Sequence, residues 1–242
     1  IPDQILTYIH VGKVRAFFPE GLSENDSVKK ENLEAEENSV FQTLIDGSDI
    51  TIAACSKISV LVDLENYYCA YPVLKISGGK NAILEVKWSE GLFVHDGERY
   101  KKNCRDAIEN KKFIGINDTF ISDGGYRRVY KPCWWRSGRY LLLTVKTEDD
   151  PLTIHSFQLL ETRYPLEYEG DFSCDEINMM DTIPLLVRGM QMCSHETFMD
   201  CPYYEQLMYV GDTRVEMLIN YVMSNDDRLV KRGIQLFDWS RQ

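Results

Sequence analysis

The spacing of apolar residues changes near residue 170, and this change separates a strand-rich part of the chain from a helix-rich part. Between residues 41 and 164, short runs of β-branched and aromatic residues alternate with turn sequences such as DGS, SGGK and DGG. Such runs are typical of strands that follow one another without an intervening helix. They cover residues 50–55, 57–64, 71–77, 82–88, 139–147 and 153–164. The pattern predicts an antiparallel β-sandwich, jelly-roll-like in topology.

After Gly170, apolar residues recur at helical spacing and predict three helices. The first begins near Ser173 and is interrupted by Pro184. The second is expected after Asp212 and the third from about Asp226, each with an apolar stripe facing the core. The predicted inward positions are Ile177, Met180, Ile183, Val187 and Met190 in the first helix, Val215, Leu218, Ile219 and Val222 in the second, and Leu229, Val230, Ile234 and Phe237 in the third.

These patterns predict three segments along the chain. Residues 1–40 form an N-terminal segment whose residues 21–38 are polar and acidic, as expected of a mobile loop or linker. Residues 41–168 form the β-sandwich domain. Residues 169–242 form the N-terminal part of a helical domain that continues beyond this chain.

The amino-acid composition and net charge narrow the range of possible binding partners. The chain has 242 residues, 44% of them hydrophobic, which is enough to bury a sizeable core. Its net charge of −11 disfavours nucleic acid, because phosphate backbones are repelled, and suits a neutral ligand such as a sugar. No apolar run reaches the ~20 residues of a membrane-spanning helix, so no membrane partner is expected. The chain begins at Ile1 and is expected to start inside a longer protein, which leaves a periplasmic or a cytoplasmic location open.

Neither a metal nor another cofactor is expected. The seven cysteines are odd in number and form no CxxC pair, so a zinc site or a dense disulfide framework is disfavoured. Most of them are expected to be buried thiols. His10, His95 and His155 are scattered without the spacing of metal ligands.

Chemistry is concentrated between the first two predicted helices, in residues 194–214. Carboxylates accept hydrogen bonds from sugar hydroxyls, and aromatic faces cover the C–H surfaces of a pyranose. Hydrolysis of a glycoside needs one carboxyl as acid and a second as base or nucleophile. The segment supplies both residue types: Glu196, Asp200, Glu205 and Asp212, with Tyr203, Tyr204 and Tyr209.

A structural interpretation competes with this one. Asp200 precedes Pro202 and could cap a helix, and Asp212 follows Gly211 and could cap the next. Glu205 could be a solvated helix residue. In a generic helical protein, polar residues at helix starts are more often caps than catalytic groups.

A family resemblance favours the catalytic interpretation. The stretch DCPYYEQLMYVGD, residues 200–212, resembles the signature segment of bacterial α-L-rhamnosidases, which are inverting glycoside hydrolases. In that family a DCP tripeptide opens the segment, a glutamate follows as general acid, and a GD pair lies seven residues beyond the acid. The resemblance implies that Glu205 is the catalytic acid and that Asp200 and Asp212 bind the sugar. Tyr204 and Tyr209 flank the acid and are expected to contact substrate.

The resemblance extends beyond this segment. Residues 57–92 are similar to the family's β-sandwich domain, and residues 172–180 resemble the first helix of its (α/α)6 catalytic barrel. The implied activity is hydrolysis of terminal α-L-rhamnose. Only about seventy residues follow Gly170, whereas twelve helices need on the order of 200. The family's general base lies far downstream, so this chain alone is expected to be inactive.

The chain also departs from the commoner form of the family's segment. That form has an arginine near the acid and a tryptophan four residues after it, where this chain has Tyr203, Tyr204 and Tyr209. The interval from Asp200 to the acid is one residue shorter. A variant branch of the family is therefore expected, which leaves the exact sugar and linkage open.

Two alternatives remain at this point: another (α/α)6-barrel glycosidase, or a non-catalytic carbohydrate-binding β module.

Trp134 and Trp135 are adjacent, and strand alternation predicts one core and one surface side chain. His195 is expected to be structural. The predicted binding partner is a carbohydrate. Apolar faces of the predicted helices that find no neighbour within the chain could pair between two chains and form a homo-oligomer.

Overall fold

The computed structural model describes residues 1–23 and 25–241, and this part of the chain contains eleven strands and six helices. The strands are β1 (Ile5–Ile9), β2 (Lys13–Phe18), β3 (Ile50–Ile52), β4 (Lys57–Gly78), β5 (Ile83–Ser89), β6 (Val94–His95), β7 (Tyr100–Lys101), β8 (Ile116–Ile121), β9 (Arg128–Tyr130), β10 (Arg136–Lys146) and β11 (Leu152–Arg163). The helices are α1 (Lys30–Leu33), α2 (Glu37–Ile45), α3 (Ile177–Met180), α4 (Ile183–Met192), α5 (Val210–Met223) and α6 (Arg228–Trp239).

The chain divides into two compact units: Tyr8–Leu160, and Ile1–Thr7 together with Glu161–Gln242. The first is the β unit and the second the helical unit. In the β unit, strands follow the order β11-β4-β10-β5-β8, with β2 and β9 also paired to β4 and β3 to β11. The registers of β10 with β4 and β5, and of β5 with β8, are antiparallel. The predicted fold class, an antiparallel β-sandwich followed by part of a helical domain, is confirmed.

β4 joins two strands that the sequence predicts separately, residues 57–64 and 71–77. Its pairing with β10 jumps from Asp63 opposite Tyr140 to Tyr68 opposite Gly138, so residues 64–67 bulge out. Glu65 adopts a left-handed φ of 59° there. A bulge bends a strand and re-aims its hydrogen bonds. The first half of β4 therefore pairs with β2 and its last residues pair with β9.

A buried ion pair holds this bulge. Arg139 donates to both carboxylate oxygens of Asp63, at 2.8 and 2.9 Å, and Arg15 donates to one of them at 3.0 Å. Asp63 is almost fully buried. Burial acts to raise the pKa of its carboxyl, but the hydrogen bond from Arg139 and the surrounding charges lower it overall. The ion pair therefore fixes the point where β4 changes partners.

Replacing Asp63 by Asn should cost about 3 kcal/mol of the free energy of unfolding at pH 7, because Arg139 loses a buried counter-charge. Asp123→Asn is the matched control, since its ion pair with Arg128 is exposed and screened by solvent, and it should cost far less than Asp63→Asn. Because the folded pKa of Asp63 is lowered, its contribution is complete above the ordinary pKa of 3.8 and fades as pH falls below it. Urea unfolding at several pH values measures the free energy of unfolding of each variant and its dependence on pH. Equal losses for the two variants would contradict the role of Asp63 in a buried ion pair.

The acidic N-terminal stretch is more ordered than its composition predicts. Residues 30–33 and 37–45 are helical, and Val28 is fully buried in a cluster with strand residues, against which Leu22 and Leu33 pack. Phe41 and its neighbours on α2 are also buried. A few well-spaced apolar side chains therefore anchor the described part of this stretch although it is mostly charged.

The adjacent tryptophans behave as predicted, with Trp135 only 3% exposed and Trp134 56% exposed. Their rings stack with centroids 5.9 Å apart.

The prediction that most cysteines are buried is wrong: all seven are free, but only Cys69 is buried, while Cys55, Cys104 and Cys133 are exposed. These three lie outside the strands, in connections where no core is available to cover them.

Asp49, His155 and Ser77 form a hydrogen-bonded chain in the β unit. His155 lies 2.6 Å from Asp49 through Nδ1 and 2.8 Å from the Ser77 hydroxyl through Nε2. The order is that of a hydrolase triad. Here, however, the Ser77 oxygen also accepts the backbone N–H of Arg127 at 2.8 Å, and Ser77 lies within β4 rather than on an exposed turn. These hydrogen bonds therefore fasten the loop before β9 to the strands.

The helical unit has a small core of its own. It consists of Tyr164, Leu166, Met190, Phe198, Met223, Leu229 and Val230. As predicted, the first helical region is interrupted near Pro184, where α3 ends and α4 begins. None of the helices in the described ranges is long and apolar enough to cross a membrane.

The predicted orientation of α5 is wrong. Val215, Leu218, Ile219 and Val222 are exposed, and the residues that face the unit's core are Thr213, Glu216, Asn220 and Met223. On α6, Leu229 and Val230 are buried as predicted, but Ile234 is 56% exposed. An apolar stripe reveals which face of a helix seeks a neighbour, but it does not say whether that neighbour lies in the same segment of chain.

Candidate functional site

The signature segment, residues 200–212, folds back on itself after α4. The backbone N–H of Asp200 donates to the carbonyl of Leu207 at 2.9 Å, and the Leu207 N–H donates to the Asp200 carboxylate at 3.1 Å. Gln206 reverses the chain with a left-handed φ of 55°. Phe198 and Tyr203 are buried and anchor the loop. Asp200 is thereby held at the base of the loop.

Hydrogen bonding determines the charge of Asp200. Partial burial acts to raise its pKa, but the Cys201 thiol and the backbone N–H groups of Leu207 and Cys201 donate to the carboxylate and lower the pKa overall. Asp200 is therefore an ionised acceptor at neutral pH. It closes a loop rather than capping a helix, so the capping interpretation does not apply to it.

Glu205 is tied to Tyr209 at the end of the loop. The Tyr209 hydroxyl donates to Glu205 Oε2 at 2.5 Å. This hydrogen bond is the main reason that the pKa of Tyr209 is raised, and the charges of Glu205, Asp200 and Asp212 raise it further. All three predicted carboxylates therefore act electrostatically on one phenol. Glu205 is solvent-exposed and lies in a turn rather than in a helix.

Asp212 lies in the first turn of α5, whose N-cap is Tyr209 and not Asp212. A carboxylate in a first turn is favoured by the helix dipole. Its side chain is exposed beside an open depression of about 480 Å³. We call this the carboxylate depression; it is lined by Asp200, Gly211, Asp212, Val215 and Glu216. Two of the predicted sugar-binding residues therefore share one cavity.

Glu216 is a member of this cavity that the sequence interpretation misses. It is 9% exposed and lies one helical turn after Asp212. Burial raises the pKa of its carboxyl to about 8, and the charges of Asp212 and Asp200 contribute. Two sequence signals could have found it: the i, i+4 spacing from Asp212, which places both on one face, and an acidic residue between the apolar positions 215 and 218.

The other predicted residues lie less centrally. Tyr204 is 63% exposed and packs edge-on against Tyr203, with centroids 4.6 Å apart. Neither Tyr204 nor Glu205 lines the carboxylate depression. His195 is structural as predicted, since burial lowers its pKa to about 4 and its Nε2 lies 3.1 Å from the carbonyl oxygen of Thr162. Burial also raises the pKa of Cys193 to about 12, which makes this thiol a poor nucleophile.

Comparison with known proteins finds similarity in structure rather than in sequence. No family model matches the chain, and no curated protein matches it significantly. Among solved structures, a GH78 family rhamnosidase of Bacillus sp. GL1 matches with a TM-score of 0.60 and 23% identity, covering 77% of this chain and 18% of that one. A rhamnosidase from Klebsiella oxytoca, solved with rhamnose bound, matches with a TM-score of 0.64 and 16% identity, covering 98% and 44%.

An α-L-rhamnosidase from Dictyoglumus thermophilum gives a third match, with a TM-score of 0.56, 14% identity, and 81% and 22% of the two chains covered. The present chain thus spans less than half the length of each of these three enzymes. At these identities the similarity is one of fold. The chain has the fold of the part of these α-L-rhamnosidases in which a β-sandwich is joined to part of a helical domain.

Proposed function

We propose that this chain is part of an inverting α-L-rhamnosidase in which Glu205 is the general acid. The main support is that Asp200 and Asp212 line one depression and Glu205 accepts a hydrogen bond from Tyr209 in the same segment, within a rhamnosidase-like fold. Carboxylates spaced along a sequence become a site only when the fold gathers them. The structure with bound rhamnose favours a 6-deoxyhexose as the sugar.

In the proposed reaction, Glu205 donates its proton to the glycosidic oxygen as the bond to the anomeric carbon breaks. A base outside this chain removes a proton from water, and the water oxygen attacks the anomeric carbon from the opposite face. The products are the free alcohol and a sugar of inverted configuration. The Tyr209 hydroxyl holds Oε2 of Glu205, which leaves the other carboxyl oxygen to carry the transferred proton.

Asp200 and Asp212 bind the sugar in this proposal. Asp200 is ionised and held by three donors, so it offers a fixed acceptor to a sugar hydroxyl. Asp212 lines the same depression from the start of α5. Tyr209 occupies the position where the commoner family segment has tryptophan, and its half-exposed ring offers a smaller apolar face to the sugar.

The full-length parent protein should hydrolyse p-nitrophenyl α-L-rhamnoside with inversion. Proton NMR during the first minutes of turnover should show the β anomer of rhamnose before mutarotation, because water attacks from the face opposite the leaving group. A panel of other aryl glycosides is the control for sugar identity. Cleavage of another member of the panel alone would refute the rhamnose assignment but keep the glycosidase class. Absence of turnover on every member would refute the enzyme assignment.

A further inference from the structure

Glu216 differs from the other acidic residues of the helical unit in its burial. α5 turns Thr213, Glu216, Asn220 and Met223 towards the unit's core, so Glu216 faces the signature segment and not solvent. Nine-tenths of it is buried, whereas Asp212, one turn earlier, is exposed. It nevertheless contributes to the lining of the carboxylate depression.

The carboxyl of Glu216 is not fully satisfied. Its buried Oε2 has no hydrogen-bond partner among the described residues. A buried polar atom without a partner costs on the order of 1–3 kcal/mol, and most such atoms in proteins are paired. Because Glu216 lines a ligand-sized depression, a molecule bound there is the natural source of the missing partner.

The surroundings of Glu216 keep its carboxyl neutral. The charged groups that act on it are Asp212 on its own helix and Asp200 in the signature segment, both anionic, and the Cys193 thiol lies near it at the end of α4. No cation is among these groups. Burial and the two carboxylates therefore raise its pKa to about 8. Below that pH the carboxyl carries a proton and can donate a hydrogen bond, which an aspartate cannot do when ionised.

A metal ion is a poor candidate for the missing partner. The part of the chain that the structure describes contains no group of three or more His, Cys, Asp or Glu residues arranged to hold one. An anionic sugar is disfavoured as well, since Asp200 and Asp212 would repel its carboxylate. What fits the depression is a neutral ligand rich in hydroxyl groups, which can both donate to the aspartates and accept from Glu216.

We propose that Glu216 is a substrate-binding residue that donates a hydrogen bond to a hydroxyl or ring oxygen of a neutral sugar held by Asp200 and Asp212. The proposal rests on the proposed function in that it takes the depression to be a sugar subsite. The three carboxyls then have complementary roles: two accept and one donates, so the orientation of a sugar hydroxyl is fixed from both sides. Rotation about the last side-chain bond, which has a broad energy minimum, is enough to aim the proton outwards.

The test is the pH dependence of sugar binding by the full-length protein and two variants. Dissociation constants for L-rhamnose, L-fucose, L-mannose and D-glucose are measured by calorimetry at pH 6 and pH 9. In the wild type, affinity for the sugar that binds should fall about tenfold at pH 9, as expected for the loss of one hydrogen bond. Glu216→Gln keeps a donor that does not titrate, so it should bind within a few-fold of wild type at both pH values.

Glu216→Leu removes the donor, so its affinity should already be about tenfold lower at pH 6 and should not fall further at pH 9. Circular dichroism verifies that each variant is folded. Three results would overturn the proposal: the same alkaline loss in Glu216→Gln, wild-type affinity at pH 6 in Glu216→Leu, or no binding of any neutral sugar by the wild type.

The same data separate this proposal from the proposed function. If a sugar other than rhamnose shows the Glu216-dependent pH effect and aryl rhamnosides are not cleaved, the rhamnosidase assignment is wrong and the role of Glu216 stands. If aryl rhamnosides are cleaved with inversion but all three proteins bind rhamnose alike at both pH values, the rhamnosidase assignment stands and the role of Glu216 is wrong.

Discussion

Replacing Glu205 by Gln in the full-length protein should lower kcat on a natural rhamnosyl disaccharide by about 10²–10⁴-fold, the range expected for loss of general acid catalysis. The amide keeps the shape of the side chain and can still accept the hydrogen bond from Tyr209. It has no acidic proton to give to the leaving oxygen. The change should therefore appear in kcat, with KM altered much less.

The dependence on leaving group makes this prediction specific. An aryl alcohol such as p-nitrophenol leaves as a stable anion and needs little protonation, so Glu205→Gln should impair the aryl rhamnoside far less than the disaccharide. Asp212→Asn weakens a sugar contact instead, and it should lower kcat/KM by a similar factor on both substrates. Glu196→Gln is the matched control, because Glu196 is an exposed glutamate of the same region, and it should behave as wild type.

A slight and equal loss on both substrates would show that Glu205 is not the acid. Glu216, the other glutamate near the site, whose pKa burial raises to about 8, would then be the next carboxyl to test. The comparison is informative because the two glutamates differ so clearly in environment: Glu205 is exposed and bonded to a tyrosine, while Glu216 is buried with one oxygen unpaired.

Much of the fold could be predicted because the relevant signals are local. Alternating β-branched runs predicted β5 and β10, and helical spacing with Pro184 predicted the break between α3 and α4. The continuity of β4 could not be predicted, since a 22-residue strand with a bulge reads locally as two short strands. The helix α2 was missed because its few apolar residues become significant only once a sheet lies beneath them.

The site residues also divide into those that local sequence signals predict and those that they do not. Asp200, Glu205 and Asp212 were predicted as site residues because the segment that holds them resembles a known family segment. Glu216 was not identified, because the buried side of α5 cannot be read from its composition. The apolar stripe of residues 215, 218, 219 and 222 points away from the unit's core, and the helix instead buries Thr213, Glu216 and Asn220. Burial of polar residues depends on tertiary neighbours, which periodicity does not specify.

The 242-residue chain alone should not hydrolyse p-nitrophenyl α-L-rhamnoside under conditions in which we expect the full-length protein to do so. The base that activates water lies outside this chain in our proposal, and loss of a general base costs about 10²–10⁴-fold by itself. The unit that holds Glu205 is also incomplete, since Val215, Leu218 and Val222 on α5 are exposed, as are Leu185 and Leu186 on α4. Such a surface is typical of an interface that is missing its partner.

Hydrogen exchange of the same 242-residue chain tests whether a missing interface contributes to its inactivity. The strands of the β unit bury a continuous core that includes Trp88, Tyr140 and Leu143, so their amides should exchange slowly. Residues 213–240 should exchange faster, because α5 and α6 have one face without neighbours. Slower exchange there than in the strands would contradict a missing interface. Robust turnover by the isolated chain, abolished by Glu205→Gln, would show that the base lies within these 242 residues, and Asp200, Asp212 and Glu216 would be the carboxyls to replace next.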